Sequence, residues 1–336
     1  MTKEEVDSKE RGFSEKLQHA LSQVIEHRKE EPKEQETSLE ATVPPLTQET
    51  ANLLVEKICF VPDGFHLHPK LKRLLKERKK GLEDSNAPTI DWGMGEHMAY
   101  GSLLLEGVTV RLSGQDVSRG TFSHRHAVFV DQKTAKRYTP LSHLQEEQAP
   151  CFIYNSFLSE FAVMGFDLGY SYSHPNSLVL WEAQFGDFVN GAQIVIDQYL
   201  SSSEQKWNHN SNLTLLLPHG YEGKGPEHSS ARMERFLQIA AEENLIIAYC
   251  TTPAQFFHLM RRQANLKVKK PLILFTSKLL LRHPPCMSSL QELIQGKFSP
   301  CLEESTPNLQ AKKLVLCTGK VFYDFLKEKE IGRAHV

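Results

Sequence analysis

Residues 177–193 read Ser177-Leu-Val-Leu-Trp181-Glu-Ala-Gln-Phe185-Gly-Asp-Phe188-Val-Asn-Gly-Ala-Gln193. The run Ser177 to Trp181 is apolar without polar alternation, the pattern of a strand covered on both faces, as in a parallel sheet. The residues after it mix a carboxylate, amides, glycines and aromatics in one short loop. Surface linkers rarely need that mixture; a site where backbone approaches a ligand closely does.

The same grammar recurs along the chain. Further strands are predicted at Val108–Leu112, Leu213–Leu217, Leu245–Tyr249, Leu272–Phe275 and Leu314–Cys317, and helices at Glu160–Tyr170, Gly191–Ser202, Ser230–Glu243 and Pro253–Gln263. Apolar strands alternating with helices predict an α/β fold, a three-layer parallel sheet with helices on both faces. Ligands in such sheets bind beyond the carboxyl ends of the strands. Two more polar segments fall there: Ser113-Gly-Gln115-Asp through Gly120-Thr-Phe-Ser-His124-Arg-His126, and Pro218-His219-Gly-Tyr-Glu-Gly through Gly225-Pro-Glu-His228-Ser-Ser230.

Composition restricts the function classes. The 336 residues are 40% hydrophobic and 24% charged with a net charge of -2, so nothing global calls for nucleic acid or an anionic membrane. No apolar run approaches the ~20 residues of a membrane-spanning helix. Six dispersed cysteines form no C-x-x-C pair, which argues against a zinc site and a disulfide scaffold and for a reducing compartment. Charge is uneven: residues 1–50 hold 12 acids and 7 bases, a net of -5, leaving +3 for the rest. That segment lacks a secretory signal. It predicts an amphipathic helix over Ser14–His27, on Leu17, Ala20, Leu21, Val24 and Ile25, then a linker from Pro32 to Thr50.

Other motifs have bland readings. Gly220, Gly223, Lys224 and Gly225 lack the spacing of a phosphate loop. His66/His68 and His124/His126 lack carboxylate or cysteine companions at metal-ligand spacing. Lys70–Lys80, with Leu71, Leu74 and Leu75 on one face, reads as a solvated basic helix. Glu160 opens a helix, where a carboxylate commonly just complements the helix dipole.

Taken together, Arg111-Leu-Ser-Gly-Gln-Asp116, Gly120-Thr-Phe-Ser-His-Arg-His126, Trp181-Glu-Ala-Gln-Phe-Gly-Asp-Phe188, Leu217-Pro-His-Gly-Tyr-Glu-Gly223, Gly225-Pro-Glu-His-Ser-Ser230 and Lys278-Leu-Leu-Leu-Arg-His-Pro284 resemble the pyrimidine-binding region of thiamine-diphosphate enzymes. The resemblance is specifically to the decarboxylating component of the 2-oxoglutarate dehydrogenase complex, over roughly residues 60–320. It implies a transketolase-like pyrimidine-binding domain and oxidative decarboxylation of 2-oxoglutarate, with the succinyl group passed to the lipoyl arm of dihydrolipoyl succinyltransferase. It further implies dihydrolipoyl dehydrogenase within the complex, a homodimer, and a bacterial cytoplasmic location, or the mitochondrial matrix if eukaryotic.

For the site, the resemblance places Glu160 against the aminopyrimidine of thiamine diphosphate, Leu158 and Phe188 as packing walls, and Gln115 as a polar lining residue. His228 is expected at the 2-oxo acid, with His219 a weaker candidate in the same loop; the alternative is that His228 caps the helix over Ser230–Glu243. No Gly-Asp-Gly motif occurs, so the resemblance leaves the diphosphate's magnesium ligands outside this chain. The expected organisation is an acidic helix and linker (1–50), a helical connector (51–87), the pyrimidine-binding domain (88–284), the truncated start of a carboxy-terminal α/β domain (285–330) and an artefactual tail (331–336). Alternatives kept open are an incomplete gene model or split polypeptide, a 2-oxoadipate dehydrogenase, and a non-catalytic remnant acting as an assembly surface.

Overall fold

The computed structural model describes residues 2–28, 39–222, 225–302 and 312–333, and divides the chain into two units, residues 1–38 and 39–336. In the first, helix α1 (Lys3–Arg28) begins well before the predicted Ser14. The signal was in the first turn: Thr2 N donates to Glu5 Oε2 at 2.7 Å, and Glu5 N to Thr2 Oγ1 at 3.3 Å, a reciprocal cap. Phe13, Leu17, Leu21 and Val24 are exposed on it.

The second unit is built on a six-stranded parallel sheet. Its strands are β1 (Thr109–Gly114), β2 (Cys151–Asn155), β3 (Ser177–Glu182), β4 (Leu213–His219), β5 (Ile246–Tyr249) and β6 (Leu272–Ser277). They lie in the order β2-β1-β3-β4-β6-β5, every pairing parallel. Alternate residues feed two separate cores. Leu178, Leu180, Leu272 and Leu274 join one with Trp92, Met98, Phe256 and Phe257; Val179, Trp181, Ile273 and Phe275 join the other with Met164, Leu168, Val189 and Phe236. That alternation makes the three layers, since each strand buries both faces.

Further helices are α2 (Gln48–Ile58), α3 (Pro69–Lys79), α4 (Trp92–Leu105), α5 (Glu160–Ser173), α6 (Met233–Ile239) and α7 (Pro253–Ala264). In α4 every residue but Leu105 is buried. It therefore shows no apolar stripe, and periodicity does not reveal it. Helix α7 packs against α4 so closely that a Cβ on Gly95 would lie 3.1 Å from the Pro253 carbonyl oxygen.

Several expected elements differ. Edge strand β2 was not predicted. Residues 186–200 form a 3-10 turn, a short α stretch and a π turn in place of one helix over Gly191–Ser202. Helix α6 is shorter than Ser230–Glu243 because Arg232, before it, and Glu242 and Glu243, after it, have positive φ. Leu314–Cys317 is not a strand: it pairs with none of the described residues, and Leu314 and Leu316 are 86% and 78% exposed.

Within the stretch read as a linker, residues 39–46 lie against the body and α2 already begins at Gln48. Ala41 bridges Leu266, and Arg262 Nη2 and Arg261 Nη2 donate to the carbonyls of Leu39 and Pro44 at 2.8 and 2.6 Å. The rest of that stretch, residues 32–38, lies outside the described residues, as do Gly223, Lys224 and residues 334–336 of the tail. A helix over Lys320–Arg333 includes the tail's first three residues.

Candidate functional site

The register of the sheet brings three strand ends level. Gly114 pairs with Asn155 on one side and with Glu182 on the other, and further along His219 pairs with Ser277. Gly114 must be glycine: its φ is +143°, and a Cβ there would sit 2.2 Å from the Glu182 carbonyl oxygen. The chain leaving β1 is tied to the end of β2, where Ser118 N donates to Asn155 Oδ1 at 2.9 Å and Ser156 N to the Gly114 carbonyl at 2.8 Å.

Glu160 is the first residue of α5, whose N-cap is Ser159, with Ser159 Oγ accepting from Ala162 N at 3.4 Å. Its half-buried carboxylate does more than complement the helix dipole. Gln115 Nε2 donates to Glu160 Oε1 at 3.1 Å, joining the residue after β1 to the helix after β2. The opposite flank faces Gly191, where a Cβ would come 3.3 Å from Oε2. A small recess is bounded here by Gln115, Phe157, Glu160, Trp181, Glu182 and Gln184. Phe157 and Leu158 stand out from the surface, 89% and 80% exposed.

Helix α5 is anchored further along. Asp167 is fully buried and accepts from Arg111 Nε at 2.9 Å and from the Ser113 hydroxyl. Burial raises its carboxyl pKa, and the contacts with Ser113 and Arg111 oppose that rise. Arg111 also lies 5.0–5.3 Å from the ring centres of Tyr154, Phe166 and Tyr170. These rings and the carboxylate clamp α5 to β1 and hold Glu160 in register with Gln115.

A second group forms at the ends of β3, β4 and β6. Phe188 sits on the 3-10 turn Gly186–Ala192, the same turn that carries Gly191 beside Glu160. The His228 ring stands edge-on to Phe185 and Phe188, with centroids at 4.4 and 5.2 Å, and its Nδ1 is 2.9 Å from Glu227 Oε1. Lys278 Nζ donates to the His228 carbonyl. His228 does not cap the next helix; the N-cap of α6 is Arg232, with no side-chain cap bond. His219 Nδ1 accepts from Ala231 N at 3.0 Å, so its ring braces the loop. Burial and nearby Lys278 lower its pKa. Glu160 and Gln115 are thus in direct contact, Phe188 and His228 pack together, and His219 makes no contact with either pair.

Beneath the β3 end lies a buried charge cluster that sequence reasoning missed. Arg125 donates through Nε to Glu96 Oε2 at 2.6 Å, through Nη1 to Glu182 Oε1 at 2.9 Å, and through Nη2 to both carboxylates. His124 Nε2 is 3.4 Å from Glu96 Oε1. Burial alone would raise the Glu96 carboxyl; Arg125 and His124 more than offset it and hold its pKa at about 2. Glu96, His124 and Glu182 have the proximity of metal ligands, but the guanidinium already takes both carboxylates. No periodicity marked it: His124 and Arg125 are both buried and only His126 is partly exposed.

The sequence profile of the transketolase pyrimidine-binding domain matches residues 88–284. The chain belongs to that family. The α/β fold with helices on both faces of a parallel sheet, expected from the strand pattern, is that of this pyrimidine-binding domain. The chain is also 50% identical over 294 residues to a 2-oxoglutarate dehydrogenase E1 component of Rickettsia conorii, covering 87% of this chain and 32% of that protein. Proteins of the same name from Cupriavidus necator and Haemophilus influenzae are 50% and 48% identical over 286 residues, covering 82% and 84% of this chain and 30% of each. The chain therefore spans about three tenths of the length of these curated relatives.

Proposed function

We propose that this pyrimidine-binding domain supplies the aminopyrimidine half of a thiamine diphosphate site and serves the oxidative decarboxylation of 2-oxoglutarate. The observation that carries the reading is the Glu160 carboxylate at the start of α5, held by Gln115 on one side and closely approached by Gly191 on the other. The surroundings suit the ring: a carboxylate and an amide for its nitrogens, a glycine that lets the backbone close on them, and apolar Phe157, Leu158 and Phe188 for its faces. The relatives' names favour 2-oxoglutarate over 2-oxoadipate, and a catalytic role over an assembly remnant.

When bound, thiamine diphosphate supplies the electron sink that lets a 2-oxo acid lose carbon dioxide. Glu160 would accept a hydrogen bond from the pyrimidine ring when the cofactor is bound, while Gln115 fixes the rotamer of the carboxylate. Leu158 and Phe188 would exclude water once this face is covered, which would strengthen the contact of Glu160 with the ring. His228, held edge-on between two phenylalanines, presents its free ring edge to the substrate carboxylate or to a proton in transfer. His219 acts through the loop it braces. The cofactor's diphosphate and magnesium are held, on this reading, by residues other than those described.

The exposed Phe157, Leu158, Phe161 and Phe166 beside Glu160 support burial of this face in a homodimer. The partners would be the lipoyl arm of dihydrolipoyl succinyltransferase and dihydrolipoyl dehydrogenase, in the cytoplasm. No described helix is long and apolar enough to cross a membrane.

The test is exchange of the cofactor's thiazolium C2 proton with deuterium, followed by NMR, with the chain combined with the diphosphate-binding region of a relative. Glu160→Gln should slow exchange by about 10²–10⁴-fold, the range of a lost general acid–base group, and abolish 2-oxoglutarate-dependent release of carbon dioxide. Exchange at the unsubstituted rate would defeat the assignment.

A further inference from the structure

A cleft of about 890 Å³ opens between α3, the loop Arg119–Gln132 and the segment Leu280–Met287. It shares no residue with the recess at Glu160. Its size is that of pockets that take small organic molecules. The floor is apolar, with Leu71, Leu74, Val128, Leu280 and Leu281, and the rim carries Lys70, Arg73, Arg119 and Arg282. Against them stand two carboxylates, Glu77 and Asp91, and Asp91 is spent on Arg78, whose Nε and Nη2 donate to it at 2.9 and 2.8 Å.

Two residues that line the cleft are themselves deeply buried: Trp92 is 1% and His124 5% exposed. The indole N–H and His124 Nδ1 have no hydrogen-bond partner among the described residues and no surface exposed to the cleft, so polar recognition falls to the residues around them. The third polar group at this depth, His126, is neutral: burial and Arg78 push its pKa to about 4, and its Nε2 donates to the Ser123 carbonyl at 3.1 Å. Positive charge therefore comes from the rim, while the depths supply an apolar surface. Among the described residues the Arg282 side chain makes no hydrogen bond or ion pair, and that of Arg119 reaches only the exposed Asp116, at 3.4 Å, and its neighbour's carbonyl.

We propose that this cleft is a second ligand site, for an amphipathic organic anion whose apolar body lies on the leucine floor and whose phosphate or carboxylate head meets Arg119 and Arg282. The guanidinium fork suits either head group. The occupant is a small molecule because the cleft is concave and has the volume of a small-molecule pocket.

The test is calorimetric titration of the protein with 1-naphthyl phosphate, 1-naphthoate, inorganic phosphate and 1-naphthol. Saturable one-site binding of either naphthyl anion, at least tenfold tighter than inorganic phosphate or 1-naphthol, is expected; the tighter of the two identifies the head group. Arg119→Gln with Arg282→Gln should weaken it tenfold or more, with unchanged circular dichroism. Unchanged binding in the arginine variant would overturn the proposal. So would inorganic phosphate binding as tightly as the naphthyl anions, or a failure to bind accompanied by self-association that closes the cleft. Glu160→Gln should leave the titration unaltered.

Discussion

Gln115 Nε2 and Glu160 Oε1, 3.1 Å apart, join two loops that are 45 residues apart in sequence and leave neighbouring strands. A carboxylate on a helix start has several rotamers, and this bond selects one. A hydrogen bond to a charged group is worth about 1.5–3 kcal/mol, so Gln115→Ala should slow cofactor C2-proton exchange about 10- to 100-fold. Thermal stability should hardly move, because the pair lies at the surface of the sheet end. Exchange within twofold of the unsubstituted rate would show that the amide does not position Glu160.

The Arg111–Asp167 pair should matter far more to stability. Replacing Asp167 by Leu leaves Arg111 with three aromatic rings and no carboxylate, and breaking a buried pair costs about 3–5 kcal/mol. Asp167→Asn keeps the hydrogen-bonding shape and should cost less than half as much. Urea unfolding monitored by circular dichroism measures both; equal losses would refute the ranking.

Acid should weaken the fold before its carboxylates titrate. Burial and Arg78 lower the His126 pKa from an ordinary value of 6.5 to about 4, so the unfolded chain takes up a proton first as pH falls. The stability tied to neutral His126 is complete above pH 6.5 and is lost down to about pH 4. His97, His219 and His258 are lowered in the same direction, chiefly by burial. His126→Gln should therefore flatten, without abolishing, the fall in urea midpoint between pH 6.5 and 4. The Glu96 contribution disappears only below pH 4.5, toward its pKa of about 2, so the two ranges are separable.

What the sequence disclosed follows from which interactions are local. Five of the six strands were legible because a strand buried on both faces is a short apolar run that needs no partner to be recognised. Strand β2 was not, since Cys151–Asn155 is a half-exposed edge between two polar stretches. Glu160 and Gln115 were legible through the resemblance, but their bond depends on the parallel pairing of β1 with β2. The Glu96–Arg125–Glu182 cluster lay hidden for the same reason: its members are 29 and 57 residues apart, and each alone looks like a solvated charge. Leu314–Cys317 misled in the opposite sense, having the apolar run of a strand with no strand paired to it among the described residues.

Helix α4, buried on every side, has a consequence for biosynthesis. Its cover includes α2, which precedes it, and α7, which follows it by about 150 residues; at ~5–20 residues per second a ribosome needs roughly 10–30 s to supply the second. During that interval a helix made to be covered on all sides is open on one flank. Nascent chains halted just before Pro253 should thus be the ones that chaperones hold most tightly, and release should come as Phe256 and Phe257 emerge.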